Sequence, residues 1–131
     1  MELTQVSPTP EQMAQLMEYP QDIPIVMVNI IKFRPETENT NETGAEAYAR
    51  YFENVQPFVA ESGAKLIWKG AVANTVIGDS EDQPDSIFLV EYPSVSHFLT
   101  MVTNPGYQKV AQDRTIALEY GGLIACKTES L

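Results

Sequence analysis

Arg114 is the residue whose position in the sequence most clearly calls for a chemical explanation. Helical spacing places it on the same face as Tyr107, Val110 and Leu118, and an apolar face of this kind packs on a protein core. A guanidinium there can bind a carboxylate or another anion through two parallel N–H groups. It can also neutralise the C-terminal end of its own helix, pair with a protein carboxylate, or pack its stem on the core. These interpretations remain open, and the acidic segment 79–85 favours a protein carboxylate as the partner.

Two polar residues, Asn29 and Lys32, interrupt an apolar segment that is typical of a strand. Because they are three residues apart, their side chains point to opposite faces of a sheet. One of them should therefore face a pocket beneath the helices, and the other should face away from it. A structural asparagine bonded to neighbouring backbone groups is the alternative interpretation of Asn29.

Aromatic side chains with a hydroxyl or indole donor are candidates for a pocket wall. Such residues usually pack in the core with their polar tip satisfied, yet the same walls suit a flat organic ligand. The ligand-binding residues predicted from the sequence are therefore Asn29, Lys32, Tyr48, Tyr51, Trp68, Tyr107 and Arg114. No catalytic residue is assigned, because no Ser-His-Asp or Cys-His arrangement can be recognised.

The sequence gives no support for a metal or a cofactor. His97 and Cys126 are the only histidine and the only cysteine, and one of each does not make a zinc site. The segment DSEDQPD lacks the central glycine and the closing glutamate of a calcium loop. Glu91 could act as an acid or a base, but its place at a strand end favours a solvated carboxylate. We therefore expect a protein that holds neither metal nor cofactor.

The composition is that of an acidic globular protein. The chain has 131 residues, 44% of them hydrophobic, and 18 acidic against 8 basic residues give a formal net charge of −10. This length fits one domain. The negative charge argues against nucleic acid or an anionic membrane as a partner. No basic-then-apolar leader and no apolar run of about 18 residues is present, so we expect a cytoplasmic protein.

Apolar periodicity and turn residues predict the elements that position these side chains. A short helix ends before Pro20, and strands are predicted at 23–33, 64–78, 86–92 and 123–128. Helices are predicted at 45–63, 94–103 and 104–118; Pro57 should kink the first, and Gly121 and Gly122 should end the last. The order β-α-β-β-α-β predicts a ferredoxin-like α+β fold with a four-stranded antiparallel sheet. We assign residues 1–22 to an N-terminal helical extension and residues 23–131 to a single ferredoxin-like domain.

This topology places the main helices on one face of the sheet. The first and third strands are nonetheless apolar at both alternating sets of positions, so the second face also needs cover. An identical sheet from a second chain is the simplest cover, and a homodimer is expected. The topology also gathers Lys32, Arg34, Tyr48, the acidic segment 79–85 and Arg114 at one end of the sheet.

The chain resembles the dimeric α/β-barrel superfamily in four segments: VNIIKFRP, GAEAYARYFENVQPFVAESGAKLIWKG, VEYPSVSHFLTMVTNPGYQKVAQDR and GGLIACK. Within it, the chain is most similar to a small uncharacterised bacterial domain-of-unknown-function family. The resemblance covers residues 25–127 and implies a homodimer with two pockets, each between the concave sheet and its own helices. Relatives include cofactor-free monooxygenases, haem-degrading enzymes, isomerases and proteins without a known reaction, so the resemblance indicates a fold and not an activity.

Three functions are consistent with these residues. The first is a small-molecule-binding protein, or a cofactor-free enzyme, that holds a small organic ligand, with or without a carboxylate, between sheet and helices. The second is a non-catalytic dimeric binding or assembly module whose polar residues serve the fold and the interface alone. The third is a cofactor-free monooxygenase that acts on an electron-rich aromatic compound.

Overall fold

A computed structural model describes residues 5–131 of the chain. Residues 1–4, which belong to the predicted N-terminal extension, lie outside the described part. The elements in chain order are α1 (Pro10–Met17), β1 (Ile25–Phe33), α2 (Gly44–Glu61), β2 (Lys65–Ala71), β3 (Ser86–Tyr92), α3 (Val95–Val102), α4 (Pro105–Ala117) and β4 (Leu118–Cys126). The four strands form one sheet in the order β2-β3-β1-β4, and every neighbouring pair is antiparallel. The predicted ferredoxin-like α+β fold is confirmed.

The helices begin where their capping residues stand in the sequence. Thr9 and Thr43 each form a capping box, in which the threonine side chain accepts from the third helical N–H and a Gln or Glu side chain accepts in return. After α2, Gly63 takes a φ of 77°, a left-handed conformation that glycine adopts without steric cost. The helix α2 continues through Pro57 without interruption.

Side chains of the sheet divide into two faces. On β3, Phe88, Val90 and Tyr92 are buried, and they alternate with half-buried neighbours. Phe88 packs edge-on against Phe52 of α2, and Tyr92 packs in the same way against Phe98 of α3. We call this helix-covered side the inner face and the opposite side the outer face.

The register of the sheet creates one apolar row on the outer face. Trp68 pairs with Leu89, Leu89 pairs with Val28, and Val28 pairs with Ile124, so the row crosses all four strands. We call these four residues the outer row. Each of them remains half-buried or exposed in the single chain, which leaves a contiguous apolar surface of the kind that monomers rarely expose.

Both edge strands contain one extra residue. Along β4, Leu118 pairs with Phe33 and Tyr120 pairs with Lys32, so that Glu119 has no partner of its own. Along β2, Leu66 pairs with Val90 but Trp68 pairs with Leu89, which leaves Ile67 unpaired. These β-bulges twist the edges locally and shift every later side chain of the strand to the other face.

The C-terminal strand begins earlier than predicted. Gly121 and Gly122 do not end a helix; they lie inside β4 and pair with Ile31 and Ile30. A Cβ atom at position 121 would lie 2.5 Å from the Nη2 atom of Arg114, and one at 122 would collide with the Tyr120 ring. The two glycines are therefore needed for close approach of side chains to the strand and not for a turn.

The second strand is shorter than the predicted 64–78. It ends at Ala71, and residues 72–85 form the loop to β3, in which Val76 and Ile77 are exposed. Among residues 5–131, no helix is long and apolar enough to cross a membrane.

Candidate functional site

A cavity of about 910 Å³ lies between the inner face of the sheet, the helices α2, α3 and α4, and the N-terminal segment 5–19. Met27 and Val90 form part of its floor, and Val55 and Phe98 form part of its helical wall. The volume is within the range of about 300–1,000 Å³ that small-molecule sites occupy. Most of the lining is apolar, so the cavity can hold the body of an organic molecule.

Arg114 is the single charged side chain among the described residues that line the cavity. No aspartate, glutamate, lysine, histidine or cysteine of the described part lines it, although the chain has 18 acidic residues. The electrostatic character of the cavity is therefore opposite to that of the whole protein.

The partners of Arg114 are backbone carbonyls. Its Nη1 donates to the carbonyl oxygen of Val6 at 2.7 Å, and its Nη2 donates to the carbonyl oxygen of Gly121 at 3.1 Å. The sequence favoured a protein carboxylate as the partner, and this expectation is wrong. The physical reason is that Gly121 has no side chain, so the guanidinium can approach the backbone of β4 and reach the N-terminal segment beyond it.

Tyrosine hydroxyls are among the polar groups of the cavity wall. The hydroxyl of Tyr51 on α2 lies 3.2 Å from that of Tyr107 on α4, within hydrogen-bonding distance. Burial raises the pKa of the Tyr51 hydroxyl, and the neighbouring Tyr107 raises it further. Burial likewise raises the pKa of Tyr92. These two phenols are neutral at physiological pH and act as hydrogen-bonding groups rather than as bases.

Tyr92 has an unsatisfied hydroxyl at this site. The residue is only 5% exposed, it lines the cavity, and its hydroxyl makes no hydrogen bond to any residue of 5–131. All fully enclosed side-chain nitrogen and oxygen atoms of the described part do have a partner. The Tyr92 hydroxyl therefore opens on the cavity, where a ligand atom or water can satisfy it.

Four of the seven predicted residues line the cavity, namely Asn29, Tyr51, Tyr107 and Arg114. Asn29 lies on the inner face, and its Nδ2 donates to the carbonyl oxygen of Met27 at 3.3 Å. Its Oδ1 atom makes no hydrogen bond within the described residues, so the side chain serves both the strand and the cavity. The sequence left open which polar residue of β1 faces the helices, and the structure places Asn29 there.

The other three predicted residues lie elsewhere. Lys32 is on the outer side, where it pairs with Asp82 and lies 3.4 Å from Glu119; the hydrogen bond to Asp82 is the main cause of its raised pKa. Tyr48 is buried against Phe33 and does not line the cavity.

A β-bulge changes the face of the sheet on which Trp68 lies. Leu66 faces the inner side, and regular alternation would put Trp68 on the same face. The bulge at Ile67 moves Trp68 to the outer face beside Leu89, and 54% of the residue is exposed. Trp68 therefore contributes to the outer row and not to the cavity.

Tyr92 and the N-terminal segment line the cavity, but neither is among the residues predicted from the sequence. Tyr92 follows Phe88 and Val90 at strand spacing, so its inner-face position was accessible from the pattern alone. The segment carries Val6, Leu16 and Tyr19, which pack against the core. Its contact with α4 spans more than a hundred residues of sequence, and no local pattern reports such a contact.

The remaining polar candidates form no second cluster at the cavity. His97 lines a separate surface groove of about 210 Å³, and its Nδ1 atom lies 2.7 Å from the Oγ atom of Ser94, the capping residue of α3. Glu91 lies opposite Val26 and Lys65, away from the cavity. In the part of the chain that the structure describes, no three His, Cys, Asp or Glu residues are grouped to hold a metal ion.

Comparison with known proteins agrees with this architecture. A protein of unknown function from Rhodopseudomonas palustris is 34% identical to the chain, with a TM-score of 0.91, and the match covers 98% of this chain and 99% of that one. No functionally curated protein matches.

Two further solved structures share the fold at low sequence identity. A dimeric protein of unknown function with a ferredoxin-like fold from Bacteroides fragilis is 10% identical, with a TM-score of 0.53, over 80% of this chain and 96% of that one. A cofactor-independent oxygenase from Streptomyces nogalater is 13% identical, with a TM-score of 0.53, over 83% of this chain and 96% of that one.

The model of one family, described as a domain of unknown function, DUF1330, matches residues 38–126. The predicted resemblance to the dimeric α/β-barrel superfamily and to a domain-of-unknown-function family within it is confirmed. The chain therefore belongs to the DUF1330 family of ferredoxin-like proteins.

Proposed function

We propose that the protein binds a small, mainly apolar organic molecule with an oxygen function in the cavity beneath the helices. The observation that carries this proposal is the cavity of about 910 Å³, whose described lining is mostly apolar and has Arg114 as its single charged side chain. Binding sites for small molecules have this composition, because apolar walls supply affinity and a few polar groups fix orientation.

The polar groups of the wall favour a ligand oxygen. The Tyr92 hydroxyl has no partner among the described residues, and the Tyr51–Tyr107 pair keeps further capacity to donate or accept. Asn29 presents an amide oxygen from the floor of the cavity. A ligand hydroxyl could donate to Asn29 or pair with the tyrosine hydroxyls, and a carbonyl or carboxylate could accept from the tyrosine hydroxyls. A pure hydrocarbon would leave the Tyr92 hydroxyl unpaired at a cost in binding free energy.

The lining also limits the chemistry that the protein itself can perform. No carboxylate, imidazole, thiol or ammonium group of residues 5–131 lines the cavity. Burial raises the pKa of Tyr51 and Tyr92, and a guanidinium does not lose its proton in proteins. These side chains can bind and orient a molecule, but a reaction in the cavity would depend on the reactivity of the ligand.

A cofactor-free oxygenation is the second candidate, because it requires this kind of site: an electron-rich substrate reacts with oxygen while the protein holds it. The fold shared with the cofactor-independent oxygenase from Streptomyces nogalater is consistent with that chemistry, at 13% identity. Oxygen uptake with a panel of quinols and polyphenols tests it. Uptake that saturates with substrate and falls in Tyr92→Phe would support the oxygenase, and uptake at the protein-free rate would contradict it.

The homodimer expected from the sequence is part of this proposal. The outer row crosses the whole sheet and is half-buried or exposed in one chain, and the outer row of a second copy would remove it from water. A dimer among the fold relatives is consistent with this arrangement. Each chain would keep its own cavity on the inner face.

A cavity-filling variant tests the proposed binding directly. Ala111 on α4 lines the cavity, whereas Ala60 on α2 is exposed and does not line it. A thermal-shift screen against small aromatic and aliphatic compounds should give ligands that raise Tm for the wild type. Ala111→Phe should lose these shifts, and the matched control Ala60→Phe should keep them. Equal shifts in both variants would mean that the compounds bind outside the cavity, and no shift with any compound would support the non-catalytic assembly module instead.

A further inference from the structure

The N-terminal segment 5–19 forms the outer wall of the cavity without being part of the core. No residue of α1 is buried, yet Met13, Leu16 and Tyr19 face the cavity from this segment. We call residues 5–19 the N-terminal strap. Because its apolar side chains are only partly buried, the hydrogen bonds of the strap to the rest of the chain contribute to its attachment.

Two of these bonds meet at the end of α4 and the start of β4. The backbone N–H of Gly121 donates to the carbonyl oxygen of Gln5 at 2.8 Å, and the Nη1 atom of Arg114 donates to the carbonyl oxygen of Val6 at 2.7 Å. Arg114 also donates to the carbonyl oxygen of Gly121. The same guanidinium therefore lines the cavity, holds the strap and contacts the sheet.

The guanidinium retains donors for a ligand. It has five N–H groups, and within the described residues two hydrogen bonds use them. Burial is the main cause of the raised pKa of Tyr51, and the charge of Arg114 opposes that rise, so the cation lies within electrostatic reach of the phenol cluster. A ligand anion at this point would meet a cation and neutral O–H donors together.

A buried anion needs such partners. Transfer of a carboxylate from water to an apolar cavity is unfavourable unless the charge is paired and hydrogen-bonded. Arg114 is the single charged lining residue of the described part, and a guanidinium matches a carboxylate through two parallel hydrogen bonds. A cationic ligand would find no described carboxylate in the lining to pair with.

We propose that the ligand is a lipophilic monocarboxylate, and that Arg114 joins its carboxylate to the carbonyl of Val6 and so couples occupancy of the cavity to attachment of the N-terminal strap. The proposal rests on the proposed function, since it names the ligand class for the same cavity. Arg114 binds the carboxylate on the side of the cavity where its charge reaches Tyr51, and the strap closes over the apolar body of the ligand.

The test compares one acid with its uncharged ester. Titration calorimetry with 2-naphthoate and methyl 2-naphthoate should give a Kd for the acid about tenfold or more below that of the ester, as a charge-assisted hydrogen-bonded pair provides. Arg114→Gln should raise the Kd of the acid until it equals that of the ester. Arg114→Lys should keep part of the difference in Kd, because an ammonium keeps the charge but lacks the planar geometry of the guanidinium.

A second readout separates a ligand contact from a purely structural role of Arg114. Hydrogen exchange of the α1 amides should slow when the acid binds the wild type, and it should not slow with the ester or in Arg114→Gln. Leu16→Ala is the matched control, because it removes apolar wall from the strap and leaves the guanidinium in place. Leu16→Ala should raise the Kd of the acid and the Kd of the ester by the same factor, so that the ratio of the two constants is unchanged.

The outcomes distinguish the two proposals. If neither compound, nor any other in the screen, binds the wild type, the proposed function itself fails. If ester and acid bind equally, or if both Arg114 variants fold and weaken acid and ester alike, the cavity binds organic molecules but the carboxylate and its coupling to the strap are wrong.

Discussion

The two faces of one sheet have different chemistry, although the same strands build both. On the inner face, Asn29 and Tyr92 put polar groups among apolar neighbours, and a cavity separates them from the helices. On the outer face, the row from Trp68 to Ile124 is apolar across four strands. The charges of this face lie to either side of the row, with Lys32, Asp82 and Glu119 toward one end of the sheet and Glu91 opposite Lys65 toward the other. Consecutive residues of β1 therefore serve two different purposes.

The difference shows that polarity alone does not identify a binding face. Both faces are largely apolar, but the inner one is concave and partly filled by side chains, whereas the outer one is continuous and open. A concave apolar face with isolated polar groups suits a small molecule. A continuous apolar row without buried polar groups suits a second protein surface, because every position can be packed without an unpaired donor.

The largest effect should come from a charge in the middle of the outer row. Val28→Asp places a carboxylate where two copies of the row would meet, and burial of an unpaired charge costs several kcal/mol. We expect the dimer dissociation constant to rise at least about 100-fold, as measured by light scattering over a concentration series. Ile77→Asp, in the exposed loop, is the control and should leave the mass unchanged. A monomeric wild type would refute the outer-face interface.

The next largest effect should come from the fully enclosed part of the inner face. Ile31 has no exposed surface and does not line the cavity, so truncation creates a new void in close-packed structure. Ile31→Ala should reduce the free energy of unfolding by about 2–5 kcal/mol. Val90→Ala, at the edge of the existing cavity, should cost less. Denaturant titrations measure both, and equal losses would mean that the cavity is not open in solution.

A smaller effect concerns the buried phenols at high pH. Burial raises the pKa values of Tyr48, Tyr51 and Tyr92, whereas tyrosine hydroxyls of the unfolded chain ionise near pH 10. Their contribution to stability is complete below that pH and is lost as pH rises above it, by about 1 kcal/mol for each phenol by pH 11. Absorbance at 295 nm should show these three tyrosines remaining protonated in the folded protein at pH 10.5. Ionisation of all six tyrosines of the chain in one transition near pH 10, with the fold retained, would contradict their burial.

The smallest effect on the fold should come from the unpaired hydroxyl on the inner face. Tyr92→Phe removes an oxygen that bonds to no described residue, so the free energy of unfolding should change by less than about 1 kcal/mol. Affinity for an oxygen-bearing ligand should fall about three- to tenfold, measured by calorimetry. Phe98→Leu is a control that alters the wall without removing a polar group. An unchanged affinity in Tyr92→Phe would show that the hydroxyl does not contact the ligand.

Local pattern accounts for much of the fold and for part of the site. The opposite orientation of Asn29 and Lys32 follows from their spacing, but which of the two faces the helices depends on packing that the spacing does not contain. Trp68 was placed wrongly because a single unpaired residue, Ile67, inverts the alternation of β2. A carboxylate partner for Arg114 is predicted because acidic residues can be read from a sequence. The actual partners are the backbone carbonyls of Val6 and Gly121, and every residue has such a group, so the sequence does not single them out.

The bulges in β2 and β4 limit how copies of this sheet can associate. An edge strand with a regular ladder can accept another strand, and repeated addition leads to open fibres. Here each edge strand is interrupted, β2 by Ile67 and β4 by Glu119. Glu119 also brings a negative charge to its edge, and the N-terminal strap already pairs with that edge at Gly121. Growth of the sheet in its own plane is therefore disfavoured at both ends. Any self-association is therefore directed to the faces of the sheet, where two copies use the same surface and form a closed dimer.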